Sequence, residues 1–253
     1  MKELKTRAKN GEKILGTMLM NLANPDIPTI FKVCGFDLFI IDSEHGYMDY
    51  SSIAAMISVA KAEGISVIVR IPEVKREVIL KYMEMGADGL MLPNVQTKEQ
   101  AQKLVEYSKY APLGDRGVAL LKAHAGYKAQ NAAEYMQKAN EDTILMVQIE
   151  SGKGVANIDD IIGVEGIDIA FIGPNDLSQN LGIMGQFEHE EFIKAIDTII
   201  ASTKAHGKVC GMHMANVAPL LKWHEKGMNF NLYSNETAMI IESAKNGISK
   251  YKA

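Results

Sequence analysis

The chain has 253 residues, a formal net charge of −4, and is 47% hydrophobic and 23% charged. This mildly acidic, globular composition gives no sign of nucleic acid or an anionic membrane as a partner. No apolar run is as long as a membrane span, and residues 1–13 lack the apolar core of a signal peptide. We therefore expect a cytoplasmic protein, with Cys34 and Cys210 as reduced core residues in strand-like runs.

Eight short apolar runs recur along the chain. In order they are KILGTML, FDLFIID, ISVIVRI, GLMLPN, ILMVQIE, IDIAFIG, KVCGMHM and MNFNLYS. Segments with helical periodicity lie between most of them, and several end in Gly, a common helix stop. These segments are MDYSSIAAMISVAKAEG, REVILKYMEMG, TKEQAQKLVEYSKYA, NIDDIIGVEG, EEFIKAIDTIIASTKAHG and VAPLLKWHEKG.

The alternation of strand and helix predicts a parallel β/α architecture, and eight units without a break in composition predict one (β/α)8 TIM barrel over residues 1–253. A doubly wound open sheet is the alternative, but no strand is followed by a GxGxxG turn. Residues 111–141 contain no clear strand and are long for a connection, which is typical of a lid or binding loop.

Two carboxylates follow neighbouring strands. Glu150 ends the run ILMVQIE, and Asp176 comes just after IDIAFIG. Alone, either could be a helix cap or a surface charge. On adjacent strand ends, however, they offer the oxygen ligands that a hard divalent cation needs and leave positions open for a substrate.

Other polar residues end strands at the same predicted face. Arg70 suits bidentate recognition of a carboxylate or enolate, although it could instead hold the metal carboxylates in place. Asp42 lies three residues before His45 and could orient it as an acid/base; the alternative is an inert loop histidine. The GPND turn opens a short helix start, DLSQN, and the free amides of Asn175 and Asp176 could hold a substrate carboxylate there.

Together, seven motifs resemble the HpcH/HpaI aldolase family, the class II metal-dependent pyruvate aldolases typified by 4-hydroxy-2-oxoheptanedioate and 2-dehydro-3-deoxyglucarate aldolases. They are IIDSEHGYMDY, VIVRIP, GADGLMLPNVQTKEQA, PLGDRGV, QIESGKGVANIDDI, VEGIDIAFIGPNDLSQNLG and GMHMAN. The resemblance implies a barrel of the phosphoenolpyruvate/pyruvate type. It also implies cleavage of a 4-hydroxy-2-oxo acid to pyruvate and an aldehyde through a metal-stabilised enolate.

The resemblance also implies roles for individual residues. Glu150 and Asp176 would hold Mg²⁺, Mn²⁺ or Co²⁺, while His45, oriented by Asp42, would transfer the proton and Arg70 would be both catalytic and substrate-binding. The other implied substrate-binding residues are Gln148, Gly173, Asn175, Asp176, His213 and Asn235. No lysine stands in the middle of a strand run, which argues against a Schiff base.

The chain departs from the family pattern at the expected aldehyde end of the site. His213 and Asn235 stand where relatives tend to carry aliphatic residues, and ALLKAH after RGV leaves Lys122 and His124 in place of the usual residues. The metal and pyruvate end therefore matches the family, whereas the aldehyde is not predicted.

Two other functions stay open: a CoA-ester or phosphoenolpyruvate-type lyase on the same barrel, and a non-catalytic binder of 2-oxo acids. The resemblance further suggests a homohexamer, a trimer of dimers, in which the C-terminal helix around TAMIIESAKNGISKYK packs on a neighbour.

Overall fold

Eight parallel strands close into a barrel in the computed structural model, which describes residues 2–128 and 131–253. The strands are β1 (Ile14–Leu19), β2 (Leu38–Asp42), β3 (Ser66–Arg70), β4 (Gly89–Leu92), β5 (Ile144–Ile149), β6 (Ile169–Ile172), β7 (Val209–Met214) and β8 (Phe230–Asn235). They follow chain order around the barrel, and β8 pairs with β1 to close it. Each strand falls in one of the eight apolar runs, which confirms the predicted (β/α)8 TIM barrel.

The strands are buried on both faces because alternate side chains serve two different cores. One set, which includes Phe39 and Val67, packs outward against the helices. The other set, which includes Ile40, Ile68 and Phe171, fills the barrel interior. Leu4 of the first helix belongs to this inner cluster, so the N-terminal end of the barrel is plugged.

Helices surround the barrel and connect the strands. They are α1 (Lys2–Lys9), α2 (Ile27–Cys34), α3 (Tyr50–Glu63), α4 (Arg76–Met85), α5 (Lys98–Ser108), α6 (Ala132–Asp142), α7 (Gly152–Ala156), α8 (Ile158–Ile162), α9 (Pro174–Asn180), α10 (Glu190–Ala205), α11 (Val217–Glu225) and α12 (Glu236–Lys252). As the sequence predicts, α3 and α4 end at glycines in the left-handed region, Gly64 (φ 69) and Gly86 (φ 98). No helix in the described ranges has the length and apolar character to cross a membrane.

The segment 111–141 differs from the expectation of a lid. Its described residues, 111–128 and 131–141, lie between α5 and β5 and therefore at the N-terminal ends of the strands, opposite the end where β/α barrels hold their chemistry. His124 lies in a 3₁₀ turn, Ala123–Ala125, against Gly86 at the end of α4, and its Nε2 is 3.1 Å from the carbonyl of Ala119. Lys122 and His124 are thus far from the mouth of their own barrel.

Cys34 is not the core residue that the sequence suggests. It ends α2 and is exposed, whereas Cys210 lies in β7 and is buried, and both thiols are free. The apolar run around Cys34 is one side of an amphipathic helix with Pro28 in its first turn, not a strand.

Candidate active site

The carboxyl ends of the strands surround a cavity of about 290 Å³. Most of the residues proposed from the sequence line it: His45, Arg70, Gln148, Gly173, Asn175, Asp176, His213 and Asn235. Met18, Met20, Met91 and Phe171 form apolar parts of its wall. An adjoining cavity of about 320 Å³ shares His45 and Asp176 and is lined in addition by Glu44 and Glu150.

Strand periodicity explains why these side chains meet. A step of two residues along a strand leads from an apolar residue of the inner cluster to the next inward-facing position. The successive inner residues are Ile40 and Asp42, Ile68 and Arg70, Met146 and Gln148, and Phe171 and Gly173. The polar layer therefore sits directly on the apolar filling of the barrel.

Asp42 and Arg70 form a buried ion pair at adjacent register positions of β2 and β3. Arg70 donates from Nε (2.9 Å) and a terminal nitrogen (2.5 Å) to the two carboxylate oxygens of Asp42, which is fully buried. Burial raises the pKa of Asp42, but the hydrogen bonds and charge of Arg70 outweigh it and hold the pKa below its usual 3.8. The bidentate face of Arg70 is therefore occupied by Asp42, so Arg70 does not offer a substrate the bidentate contact that its residue type suggests.

Asp42 supports the loop of His45 through the backbone instead of the imidazole. Its Oδ1 accepts hydrogen bonds from the amides of Glu44 (3.0 Å) and His45 (3.2 Å). The carboxylate near the imidazole is that of Glu44, 3.9 Å from His45 Nε2 and 3.3 Å from the remaining nitrogen of Arg70. The expected orientation of the His45 ring by Asp42 is thus corrected: Asp42 is saturated by Arg70 and two amides, and Glu44 faces the ring.

Glu150 is buried and held at both oxygens. Oε1 accepts from the amide of Asn94 (2.7 Å), and Oε2 accepts from Nε2 of Gln148 (2.5 Å). Gly173 lies directly against this carboxylate, since a Cβ at that position would come within 2.2 Å of Oε2. The absence of a side chain at Gly173 is therefore what allows Glu150 to sit at the edge of the cavity.

The electrostatics of this corner favour a cation. Burial raises the pKa of Glu150 to about 7, and the negative charges of Asp176 and Glu44 add to the increase. Across residues 2–128 and 131–253, no three His, Cys, Asp or Glu side chains are grouped to hold one metal ion. Glu150 and Asp176 would thus be a two-carboxylate donor set with room for water or substrate oxygens, and Gln148 Oε1 nearby is buried without a partner in the described chain.

His213 faces the opposite side of the cavity, where β7, β8 and β1 meet. Its Nε2 donates to the carbonyl of Ser234 (3.0 Å), which also accepts from the buried hydroxyl of Thr17 (3.2 Å). Burial lowers the pKa of His213, and the charge of Arg70 lowers it further. The neutral ring therefore keeps Nδ1 as a hydrogen-bond acceptor on this wall.

Several residues of the site escaped the sequence analysis. Asn94 is in the left-handed region (φ 48) and presents its amide to Glu150; the LPN ending of the strand run was its only signal. Met20 lines the cavity just beyond β1, and Glu236 binds the amide of Met20 from the start of α12. A glutamate at a helix start resembles an ordinary surface charge, so the sequence offers no signal for Glu236.

Comparison with known sequences places these residues among aldolases. Residues 16–239 match the HpcH/HpaI aldolase/citrate lyase family. The chain is 34% identical over 209 residues to the 5-keto-4-deoxy-D-glucarate aldolase of Citrobacter koseri, covering 83% of this chain and 80% of the relative. It is 29% identical over 248 residues to the hydroxypyruvate/pyruvate aldolase of Roseovarius nubinhibens, covering 98% and 96%.

Comparison with solved structures agrees. The crystal structure of an HpcH/HpaI aldolase from Desulfitobacterium hafniense superposes with a TM-score of 0.94 at 37% identity and covers 98% of this chain and 96% of that one. The likeness extends over both the barrel and the strand ends that surround the cavity.

Proposed function

This chain belongs to the HpcH/HpaI aldolase/citrate lyase family and is a carbon–carbon lyase of the aldolase type, and we propose that it cleaves a 4-hydroxy-2-oxo acid to pyruvate and an aldehyde. One observation carries the proposal: two adjoining cavities share His45 and Asp176, and Arg70 lines one of them while Glu150 lines the other. The whole chain, residues 1–253, would act as one catalytic domain.

In this proposal Glu150 and Asp176 hold a divalent cation, with Mg²⁺, Mn²⁺ and Co²⁺ as candidates. When bound, the cation supplies positive charge that stabilises negative charge developing on the 2-oxo group. The support is the buried carboxylate of Glu150, the space that Gly173 leaves for it, and the repulsion among three carboxylates that a cation would relieve.

The pyruvate end of the substrate would lie between β3, β5 and β6. Asp42 leaves one terminal nitrogen of Arg70, which lies 3.3 Å from Glu44 and would also reach the substrate in this proposal, and Gln148 lines the same cavity. Asn175 and Asp176 lie in the first turn of α9, where their amides face a substrate carboxylate in this proposal. Arg70 thus acts through a single hydrogen bond and its charge.

His45 is the proposed acid/base at the aldol hydroxyl. Its side chain is 61% exposed at the mouth, where both cavities meet, and Glu44 is the carboxylate beside it. An exposed imidazole at the rim can exchange its proton with water and with a hydroxyl bound below it. The aldehyde would lie against His213 and Asn235, polar groups that suit an acceptor carrying hydroxyl groups.

Proton exchange tests the proposal. In D₂O with Mg²⁺, Mn²⁺ or Co²⁺, the protein should exchange the methyl protons of pyruvate, observed by ¹H NMR, because the site stabilises the enolate. His45→Ala should slow cleavage of a 4-hydroxy-2-oxo acid by about 10²–10⁴-fold while leaving pyruvate exchange largely intact. His189→Ala, a partly exposed histidine that caps α10 away from the cavities, is the matched control.

Each rival function has a distinct outcome. No metal-dependent exchange with any of the three ions would overturn the aldolase proposal. Exchange without cleavage of any hydroxy-oxo acid would favour a 2-oxo-acid binder, and borohydride trapping of a pyruvate adduct would reveal a Schiff base. Turnover of a CoA ester without aldol cleavage would favour the CoA-ester lyase.

The proposal includes a homohexamer, a trimer of dimers, in which α12 packs on a neighbour. Within α12, which the structure describes in full, Glu236 is the only buried residue, and the helix exposes Ile240, Ile241, Ile248 and Tyr251. An uncovered apolar face of this kind is typical of an interface. Light scattering should give the mass of six chains, and a monomer at micromolar concentration would contradict it.

We also propose a cytoplasmic location, which accords with the two free thiols.

A further inference from the structure

Glu236 is a buried carboxylate that no step of the proposed reaction uses. It is 3% exposed, at the first position of α12. Its Oε1 accepts from three successive amides, those of Met20 (3.1 Å), Asn21 (2.6 Å) and Leu22 (3.2 Å), and its Oε2 lies 3.1 Å from the Met20 amide. One side chain thus binds the backbone of residues 20–22, the start of the turn (20–26) that follows β1.

This turn has few other attachments. Residues 21–26 are exposed, and Asn21 is the one whose side chain bonds to α12, at Thr237 (3.3 Å). Among the described residues, the hydrogen bonds from 20–26 to elements other than α2 end on Glu236 or Thr237. Glu236 is therefore the main hydrogen-bonding anchor of the turn.

The turn and the helix start both belong to the cavity wall. Met20 lines the cavity at the end of β1, and Asn235 lines it at the end of β8 while capping α12 through the amide of Ala238 (2.9 Å). Ser234, the residue before Asn235, is in the left-handed region (φ 53), and the register of the β1–β8 pairing shifts between Gly16 and Met18. The two strand ends are therefore irregular, and the carboxylate of Glu236 ties them together.

We propose that Glu236 is a positioning residue for the aldehyde half of the site, holding Met20 and Asn235 as one wall. This inference rests on the proposed aldolase function. The other half, with Gln148, Glu150 and Asp176, is built on β5, β6 and α9, and within the described ranges the hydrogen bonds of Glu236 go to the turn after β1 and to Thr237 instead. The two halves can thus be disturbed separately.

The separation makes the test selective. Glu236→Ala should raise the KM for the aldehyde in the aldol direction by about tenfold or more, because small displacements of positioning groups are costly. Metal-dependent exchange of pyruvate protons, which needs no aldehyde, should stay within about twofold of wild type. Glu236→Gln keeps Oε1 as a neutral acceptor and should give an intermediate KM, and Glu242→Ala, on the exposed side of the same helix, should match wild type.

Hydrogen–deuterium exchange by mass spectrometry gives a readout without substrate. The amides of residues 20–22 should exchange faster in Glu236→Ala and Glu236→Gln than in wild type, while β5 and β6 stay protected. If Glu236→Ala fails to fold, the Gln variant carries both measurements. The inference is overturned if amide exchange at residues 20–22 is unchanged, or if the rate of pyruvate proton exchange falls by the same factor as the KM for the aldehyde rises. Absence of pyruvate proton exchange in the wild-type protein overturns the aldolase proposal instead.

Discussion

Replacing Asp176 by Asn, or Glu150 by Gln, should lower kcat/KM for cleavage by about three orders of magnitude, or about 4 kcal/mol of transition-state stabilisation. Both substitutions keep size and remove one negative charge from the pair that would hold the cation. The side-chain amide introduced by Glu150→Gln would still offer an oxygen to the backbone amide of Asn94, so the fold around the cavity should persist. Pyruvate release, measured by a coupled reductase assay over a range of Mn²⁺ concentrations, tests the expectation.

The controls separate lost charge from lost structure. Glu165→Gln removes an exposed carboxylate elsewhere and should behave as wild type. Calorimetric titration should show that the Asp176 and Glu150 variants bind Mn²⁺ at least about a hundredfold more weakly. A variant that keeps wild-type turnover and Mn²⁺ affinity would remove that residue from the metal site.

Arg70→Met should destabilise the protein by about 3–5 kcal/mol, because it leaves the carboxylate of Asp42 buried without its partner. For a chain of this size that corresponds to a fall in Tm of about 10 °C, measured by thermal denaturation. Lys226→Met breaks an exposed ion pair with Asp197 and should cost less than about 1 kcal/mol.

The contribution of the Asp42–Arg70 ion pair to the stability of the protein should depend on pH. Because the pKa of Asp42 is lowered in the folded state, the pair stabilises the protein above the usual pKa of 3.8 and ceases to do so as the pH falls through the lowered value. The stability gap between wild type and Arg70→Met should therefore narrow as the pH falls below about 4, through the lowered pKa of Asp42. The double variant Asp42→Asn/Arg70→Met should recover stability without activity, and a double variant no more stable than Arg70→Met would contradict the ion-pair explanation.

The barrel was predictable because its strands are continuous apolar runs, whose side chains need to be buried on both faces of the sheet. Three helices were not predicted, for two physical reasons. α1 and α2 have eight residues each, too short for a clear period, and α6, described over its whole length, buries no side chain, so no apolar stripe marks it. Cys34 was misplaced for the same reason, since the run around it is half of a short amphipathic helix.

The sequence predicts which residues line the site better than it predicts which of their side chains bind each other. Sequence order places Asp42 three residues from His45, but register places it beside Arg70, and a bidentate ion pair is stronger than a contact to an exposed ring. Likewise, Lys122 and His124 follow a family motif, yet their place between α5 and β5 sends them to the other end of the barrel. Such pairings depend on tertiary geometry that local spacing does not contain.

The apolar filling beneath the polar layer has a consequence for how the reaction ends. Ile40, Ile68 and Phe171 occupy the interior, and Leu4 closes the far end, so bulk water reaches the reacting carbon only through the mouth. In the proposed reaction, an aldehyde bound at that opening would therefore also limit the access of water, which favours addition of the enolate to the aldehyde over its protonation. After the aldehyde has left, water would enter through the mouth, and protonation of the enolate would give pyruvate.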